Sequence, residues 1–595
     1  MKSPYILDSS INVMMRLGMD FFDYSDGDVV ELWLLEIIEK ASNISASSPE
    51  LTSAIFDWPS EYHLSSARHN LLRPFGIGPE HNVLELGCGC GAMTRYLGET
   101  GATVIAVEGS KRRAQIAAAR CRDLPNVTIY CDNLIDFMCE EKFDFVTLIG
   151  VLEYAPKFIK QENPVADCLR HARSFLKEDG ALMLAIENQF GLKYLNGCPE
   201  DHVGTSYYGV NDLYGDSDPV TYGRHAISEL LDATGLLRQE FFYPFPDYKL
   251  PGVILSGDIL ADARLNVADL LIHNTGRCYP ETHHRAFAEN LAWRVAIRNR
   301  MLPDLANSFL ILARENKDGH RKADWLAKMY NRGYRHPCYR LESTITADTT
   351  GNLVVRKQKS FPTASVLENA WLRHAIADSN YTSGNLLVGR IHDAMAREAG
   401  LDELSASFAP WLKFLIANVS KDEEGEKILP GNFVDCIPAN LLETAIGELY
   451  YIDAEWVSSE PIPLSWTVMR GIFNSFIGCL ENHKVAGMTY RQLIIEIARR
   501  SGVVLDEADL ALAARLEQRL IDQCFLVTNG RKLFANSLDE SFQGQIRLSA
   551  HIPKLRYELT AHKFELSRIK STVSWQITKP LRLLAFLWRK IVGMY

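Results

Sequence analysis

The chain has no C-x-x-C pair, no apolar run long enough to span a bilayer, no low-complexity linker and no internal repeat. Each absence removes a class of protein. Twelve cysteines without paired spacing suit neither a zinc ribbon nor a dithiol redox centre, so free thiols in a reducing compartment are the simpler expectation. Met1–Ser10 lacks the basic, apolar and small-residue regions of a signal peptide, which leads to an expected cytoplasmic location. Without a bilayer-long run, any membrane contact is peripheral. A net charge of −11 argues against a general nucleic-acid binder.

What is present is an ordinary globular composition, 47% apolar and 23% charged, over 595 residues, which is enough for two to four domains. Residues 1–65 read as an N-terminal helical extension, with DVVELWLLEIIEKAS at helical spacing. From Asn82 to Glu187 the runs VLELG, TVIAVEG, VTIYCD, FDFVTLIG and ALMLAIEN alternate with helical segments. Runs that are apolar throughout predict parallel strands covered on both faces, hence a doubly wound, mostly parallel α/β sheet. RQEFFYPFPDYKLP and ANSFLILARE predict an antiparallel pair closing that sheet, around an insertion at about 256–305, in a domain of 66–316. An α+β domain is expected over 323–540, opening with a hairpin at Thr350-Gly351-Asn352, and a basic helical tail over 547–595.

Residues 83–97, VLELGCGCGAMTRYL, carry the strongest local signal. Cys88 and Cys90 have no second ligand pair at metal spacing, so no metal is expected in this domain. Gly87, Gly89 and Gly91-Ala92 satisfy G-x-G-x-x-G/A between a strand and a helix, and Glu108 closes the next strand, where a carboxylate grips a ribose diol. That much suits NAD and S-adenosylmethionine alike. Three further acids separate them. Glu85, two residues before the first glycine, would repel a pyrophosphate but suits an ammonium. Asp132 ends the third run, placed for an adenine amino group, and Glu153 in GVLEYA lies beside the loop at the strands' C-terminal edge. The ordered series resembles the class I S-adenosylmethionine-dependent methyltransferases over residues 66–316. The resemblance implies a methyl donor in the glycine loop, Glu108 on its ribose and Asp132 on its adenine.

The segment after the fifth run, ENQFGLKYLNGCPEDHVGTSYYG, offers Asp201 and His202 as a pair to take a proton from an acceptor hydroxyl. ENQFGLKY…PEDH and PDYKLP resemble methyltransferases of bacterial surface-polysaccharide loci, O-antigen assembly included. That implies a saccharide or lipid-linked glycan acceptor, methylated on a hydroxyl or a sugar-linked phosphate. The methyltransferase half lacks a basic stripe with interleaved aromatics, so no nucleic-acid partner is expected.

In the second domain Asp435 and Asn440 have the D-x-x-x-x-N spacing of a kinase catalytic loop, and Asp453 ends a later apolar strand. Lys357 and Glu368 offer the lysine–glutamate pair that fixes ATP phosphates. Phe433-Val434, Asp453-Ala454-Glu455 and the lack of a glycine-rich loop depart from that pattern. Three readings stay open: a kinase-like domain using Mg-ATP, as in a bifunctional methyltransferase–kinase that the domain order resembles; a pseudokinase-like binding module; and a structural partner. In the tail, ten Lys or Arg face two Glu between Arg547 and Tyr595. Leu555, Leu559, Leu566, Ile569 and Val573 follow coiled-coil spacing, which predicts homo-oligomeric pairing. Leu581, Leu584, Trp588 and Ile591 form an apolar stripe suited to the inner face of the cytoplasmic membrane. A membrane-associated scaffold for other assembly enzymes is the competing class of function.

Overall fold

The fold is given by a computed structural model. It describes residues 4–18, 27–279, 284–316, 323–331, 334–365, 367, 370–526, 537–546, 562–565 and 568. The predicted coiled coil and amphipathic stripe of 547–595 lie outside the described residues, apart from 562–565 and 568, as does Glu368.

The N-terminal extension is not all helical. Two strands, β1 (Tyr5–Asp8) and β2 (Val13–Arg16), form a hairpin before the helix α1 (Asp28–Lys40). Four residues per strand are too few for a two-residue period to show, whereas thirteen display the helical stripe of α1 plainly.

The five apolar runs become β3 (Asn82–Leu86), β4 (Thr103–Glu108), β5 (Val127–Cys131), β6 (Phe143–Ile149) and β7 (Leu176–Glu187). They lie in the order β5-β4-β3-β6-β7 and every pair is parallel. The crossovers include α2 (Ala92–Glu99), α3 (Lys111–Arg120) and α4 (Pro164–Ser174). Both faces are covered, so Val83, Leu84, Leu86, Met183, Leu184 and Ile186 are fully buried whichever way they point. The chain leaves β3 in one direction toward β4 and β5 and returns to its other side at β6. A crevice therefore opens beyond the C-terminal ends of β3 and β6, where an open α/β sheet binds its ligand.

β8 (Arg238–Phe245) and β10 (Ser308–Arg314) are antiparallel, as the sequence leads one to expect, and β10 lies between β7 and β8. The sheet does not end there. β9 (Val253–Ser256) folds back on β8, β11 (Ala327–Tyr330) pairs with β9, and β12 (Leu341–Ala347) and β13 (Leu353–Lys359) follow. The hairpin assigned to a separate second domain thus belongs to one fourteen-stranded sheet that runs through the proposed boundary. Arg73 strengthens the join by donating to the Ser360 carbonyl at 3.0 Å and stacking over Phe361. Beyond β13, five helices, Val388–Ala396, Leu401–Ala417, Leu464–Ser475, Tyr490–Arg500 and Glu507–Cys524, bury their own core around Trp411 and Trp466.

The cysteine expectation needs one correction. Ten thiols are free, but Cys198 and Cys278 form a disulfide. They are eighty residues apart, in two loops whose approach no spacing rule reveals. No helix among the described residues is long and apolar enough to cross a membrane.

Candidate active site

The crevice between β3 and β6 holds a cavity of about 430 Å³, inside the range of small-molecule sites. Its near wall is the glycine loop. Gly87, Gly89 and Gly91 have φ of +80°, +55° and +75°, so this turn between β3 and α2 is built from left-handed residues. Cys88 and Cys90, within the loop, are buried and each joins an apolar cluster.

Glu108, at the end of β4, accepts the Gly89 and Ser110 backbone N–H groups at 2.9 Å each. Those bonds aim its carboxylate along the loop while leaving lone pairs for a diol. Glu85, at the end of β3, is 4% exposed and accepts the Thr94 hydroxyl at 2.6 Å. Burial lifts its carboxyl to about 7, against the opposing pull of Thr94 and Arg68.

Asp132 is not where the sequence puts it. It is wholly buried, and one oxygen accepts Tyr5 Oη at 2.6 Å and Arg16 Nη1 at 2.8 Å. The N-terminal hairpin on β5 carries both partners, so Asp132 anchors that hairpin. Its neighbour Asn133 lines the cavity instead.

Asp201, His202, Tyr248 and Lys249 line the far wall, and the charged groups among them belong to a charge network assembled from three segments. Glu187 ends β7, Lys193, Asp201 and His202 follow in the next loop, and Asp247, Tyr248 and Lys249 follow β8. Lys193 is fully buried between Asp201, at 2.8 Å, and Asp247, at 3.7 Å. Lys249 contacts Asp201 and reaches Glu187 Oε1 at 2.6 Å. His202 Nε2 lies 3.4 Å from Glu187 and 3.9 Å from Glu153, while its Nδ1 meets Tyr154 Oη at 3.1 Å.

This corrects the expected Asp201–His202 pair. Asp201 is taken by two lysines, and the carboxylate beside His202 is Glu187. Burial alone would lower the His202 pKa, but Glu187 and Glu153 raise it to about 9, so the ring is cationic at neutrality. Its backbone N–H and that of Val203 bind Glu200 Oε2, which fixes the turn. His225, downstream in sequence, is exposed beside Glu229.

Glu153 sits at the junction of the two walls. It is wholly buried, lines the cavity, and neither oxygen makes a hydrogen bond. Burial and the neighbouring Glu187 raise its carboxyl to about 8. The expectation of no metal ligands in this domain overlooks the cluster here. Glu153, Glu187 and His202 bring potential ligand atoms within 4.8 Å of one another. Lys249 and the His202 ring already place positive charge in it.

Trp58 and Tyr279, both lining the cavity, stack on each other at 3.7 Å, and Tyr279 donates to Asp247 at 3.0 Å. The Cys198–Cys278 disulfide ties the loop carrying Tyr279 to the loop carrying Asp201 and His202. Sequence reasoning missed Lys193, Lys249 and Tyr279. The available signal was a lysine inside an otherwise apolar stretch in FGLKYL and again in DYKLP.

The kinase-like positions also converge, but on one another. Lys357 pairs with Asp453, Asp435 accepts Arg470 Nη2 at 2.6 Å, and Asn440 donates to the Asp435 carbonyl at 3.0 Å. Arg335 holds Glu455 at 2.7 Å, and with that pairing the Glu455 carboxyl falls to about 2 despite its burial. Each of these three carboxylates already faces a cation of the chain.

Residues 60–236 match a family model described as a methyltransferase domain. A stretch of 115 residues, 19% of this chain, is 30% identical to the demethylmenaquinone methyltransferase of Tropheryma whipplei strain Twist, and likewise to that of strain TW08/27. The matched region spans about half, 47%, of those curated relatives. Among solved structures, a TehB-like S-adenosylmethionine-dependent methyltransferase from Corynebacterium glutamicum is 12% identical, covering 42% of this chain and 88% of that one, with a TM-score of 0.23. The CcbJ methyltransferase of Streptomyces caelestis is 17% identical, covering 35% and 93%, with a TM-score of 0.26. With the glycine loop, the acid series and the crevice all inside or beside the matched span, the chain carries a methyltransferase domain over residues 60–236.

Proposed function

We propose that the chain transfers a methyl group from S-adenosylmethionine to a saccharide, at a hydroxyl or a sugar-linked phosphate, during surface-polysaccharide assembly. The observation that carries this reading is a single cavity with two unlike ends. One end is a glycine loop flanked by Glu85 and Glu108, which suits an ammonium and a ribose diol. The other is built from the two stretches that resemble polysaccharide-locus methyltransferases. ENQFGLKY…PEDH contributes Asp201 and His202 to the lining, with Glu187 and Lys193 paired behind them, and PDYKLP contributes Tyr248 and Lys249, with Asp247 behind.

When bound, S-adenosylmethionine supplies a methyl group made electrophilic by its sulfonium. The chain's part is alignment, exclusion of water and handling of one proton. His202, cationic at neutral pH, is not the base, and its two ring nitrogens already face Glu187 and Tyr154. Glu153 lines the same space with no hydrogen bond on either oxygen, and with its carboxyl raised to about 8 it takes a hydroxyl proton in its ionised form, which predominates only above that pH. A phosphate acceptor needs no base. Calorimetry with S-adenosylmethionine and with NAD, followed by mass spectrometry of candidate glycans, tests both levels. Heat from NAD alone ends the methyltransferase reading; donor binding with no glycan methylated ends its saccharide part.

Donor affinity should depend on pH through Glu85. Below about 7 its carboxyl is neutral and cannot pair with an ammonium; above that it is ionised and can. Affinity for S-adenosylhomocysteine therefore falls as pH drops from about 8.5 to about 6, and the proton uptake linked to release is measurable by calorimetry in buffers of different ionisation heat. The slope between about pH 7.5 and 6 flattens in Glu85→Gln, while any contribution of Glu153, nearer 8, remains. A wild-type profile as flat as the variant's would remove Glu85 from the donor site.

A further inference from the structure

We propose that Arg68 binds the carboxylate of the methyl donor's amino-acid end, beside the ammonium taken by Glu85. The inference rests on the donor reading above and assigns a residue that the motif series does not contain. Arg68 begins the 3-10 turn Arg68–Leu71, which packs on α2, the helix that the glycine loop feeds. It is 4% exposed and lines the cavity.

Its charge is uncompensated by the chain. Lys249, His202 and Arg113 also line the cavity, and each faces a carboxylate: Glu187, Glu187 and Glu31 respectively. Arg68 has no carboxylate within ion-pair distance among the described residues. A buried guanidinium without a counter-ion is unfavourable unless a ligand supplies one.

Its orientation is fixed nonetheless. Nη1 donates to the Lys249 carbonyl at 3.0 Å, and the guanidinium lies over the Tyr62 ring, 4.1 Å from its centroid. The Nε–Nη2 edge is left unused, with Nε buried and unpartnered. That edge presents two parallel N–H groups, the geometry that matches a carboxylate in bidentate fashion. Glu85 feels the positive charge of Arg68, yet the two form no ion pair. A separated acid and base on one cavity wall is the complement of an α-amino-acid zwitterion. NAD has no such group.

Two ligands that share the nucleoside and sulfur but differ in the amino-acid end test this on the full-length protein. Calorimetry should show wild type binding S-adenosylhomocysteine more tightly than 5′-methylthioadenosine. Arg68→Met should weaken the first by about 10- to 100-fold, the size expected for a charge-assisted pair, and leave the second within about twofold. Retained methylthioadenosine affinity also certifies that the variant is folded. If Arg68→Met does not fold, Arg68→Lys carries the test, with a smaller loss confined to S-adenosylhomocysteine. Unchanged S-adenosylhomocysteine affinity overturns the proposal, as does an equal loss for both ligands, which would make Arg68 a packing residue. Wild type binding neither ligand overturns the donor reading itself, a result distinct from either of those.

Discussion

Gly89→Val abolishes detectable S-adenosylhomocysteine binding and leaves a folded protein. A Cβ built on Gly89 meets no backbone; its nearest neighbour is Arg113 Nη2 at 3.6 Å. The added methyl groups therefore enter the cavity where a ligand would approach bare backbone. Holding valine at φ +55° costs about 1–2 kcal/mol of strain, so a urea melt should show a modest loss of stability. Gly87 provides the contrast. There a Cβ would lie 2.5 Å from Val151 Cγ2, and Gly87→Val should compromise folding itself. Two neighbouring glycines thus fail in different ways, one in binding and one in stability. Wild-type affinity in Gly89→Val would mean that the donor does not lie on this loop.

The second large effect is structural. Lys193→Met removes a fully buried ammonium from between Asp201 and Asp247 while keeping most of the length of the side chain. Breaking a buried pair from one side costs about 3–5 kcal/mol, because the remaining carboxylates stay buried with less compensation. Chemical denaturation should register that loss. Adding Asp201→Asn should recover part of it, since the two residues share one network. A Lys193→Met protein that unfolds at the wild-type denaturant concentration would show the network to be dispensable for the fold.

The parallel block of the sheet was legible because its strands are apolar throughout and are spaced by helical segments. The glycine loop, Glu85 and Glu108 were legible for a similar reason: they are local, at fixed offsets from a strand end. Legibility stops where function is assembled across distance. Asp132 has the right offset but is taken up by Tyr5 and Arg16, more than a hundred residues earlier in the chain. Asp201 and His202 are adjacent in sequence, yet one turns to two lysines and the other to Glu187. Lys193 and Lys249 stand inside the quoted stretches and Arg68 in none, yet what each lysine pairs with is set only where the loops converge. The domain boundary near 323 was inferred from a change of pattern, but hydrogen bonding between strands leaves no mark on composition.

That unbroken sheet constrains how the gene can be divided. A shortened chain ending at 316 would strip β11 from β9 and leave Val253–Ser256 as a bare rim, with amides unpaired and Ile254 and Leu255 losing their cover. Rims of that kind recruit a second copy or aggregate. The methyltransferase half is therefore not a portable cassette. Recombination that exchanges the C-terminal half must also bring a replacement for β11, and the natural excision point lies after the strands that finish the sheet.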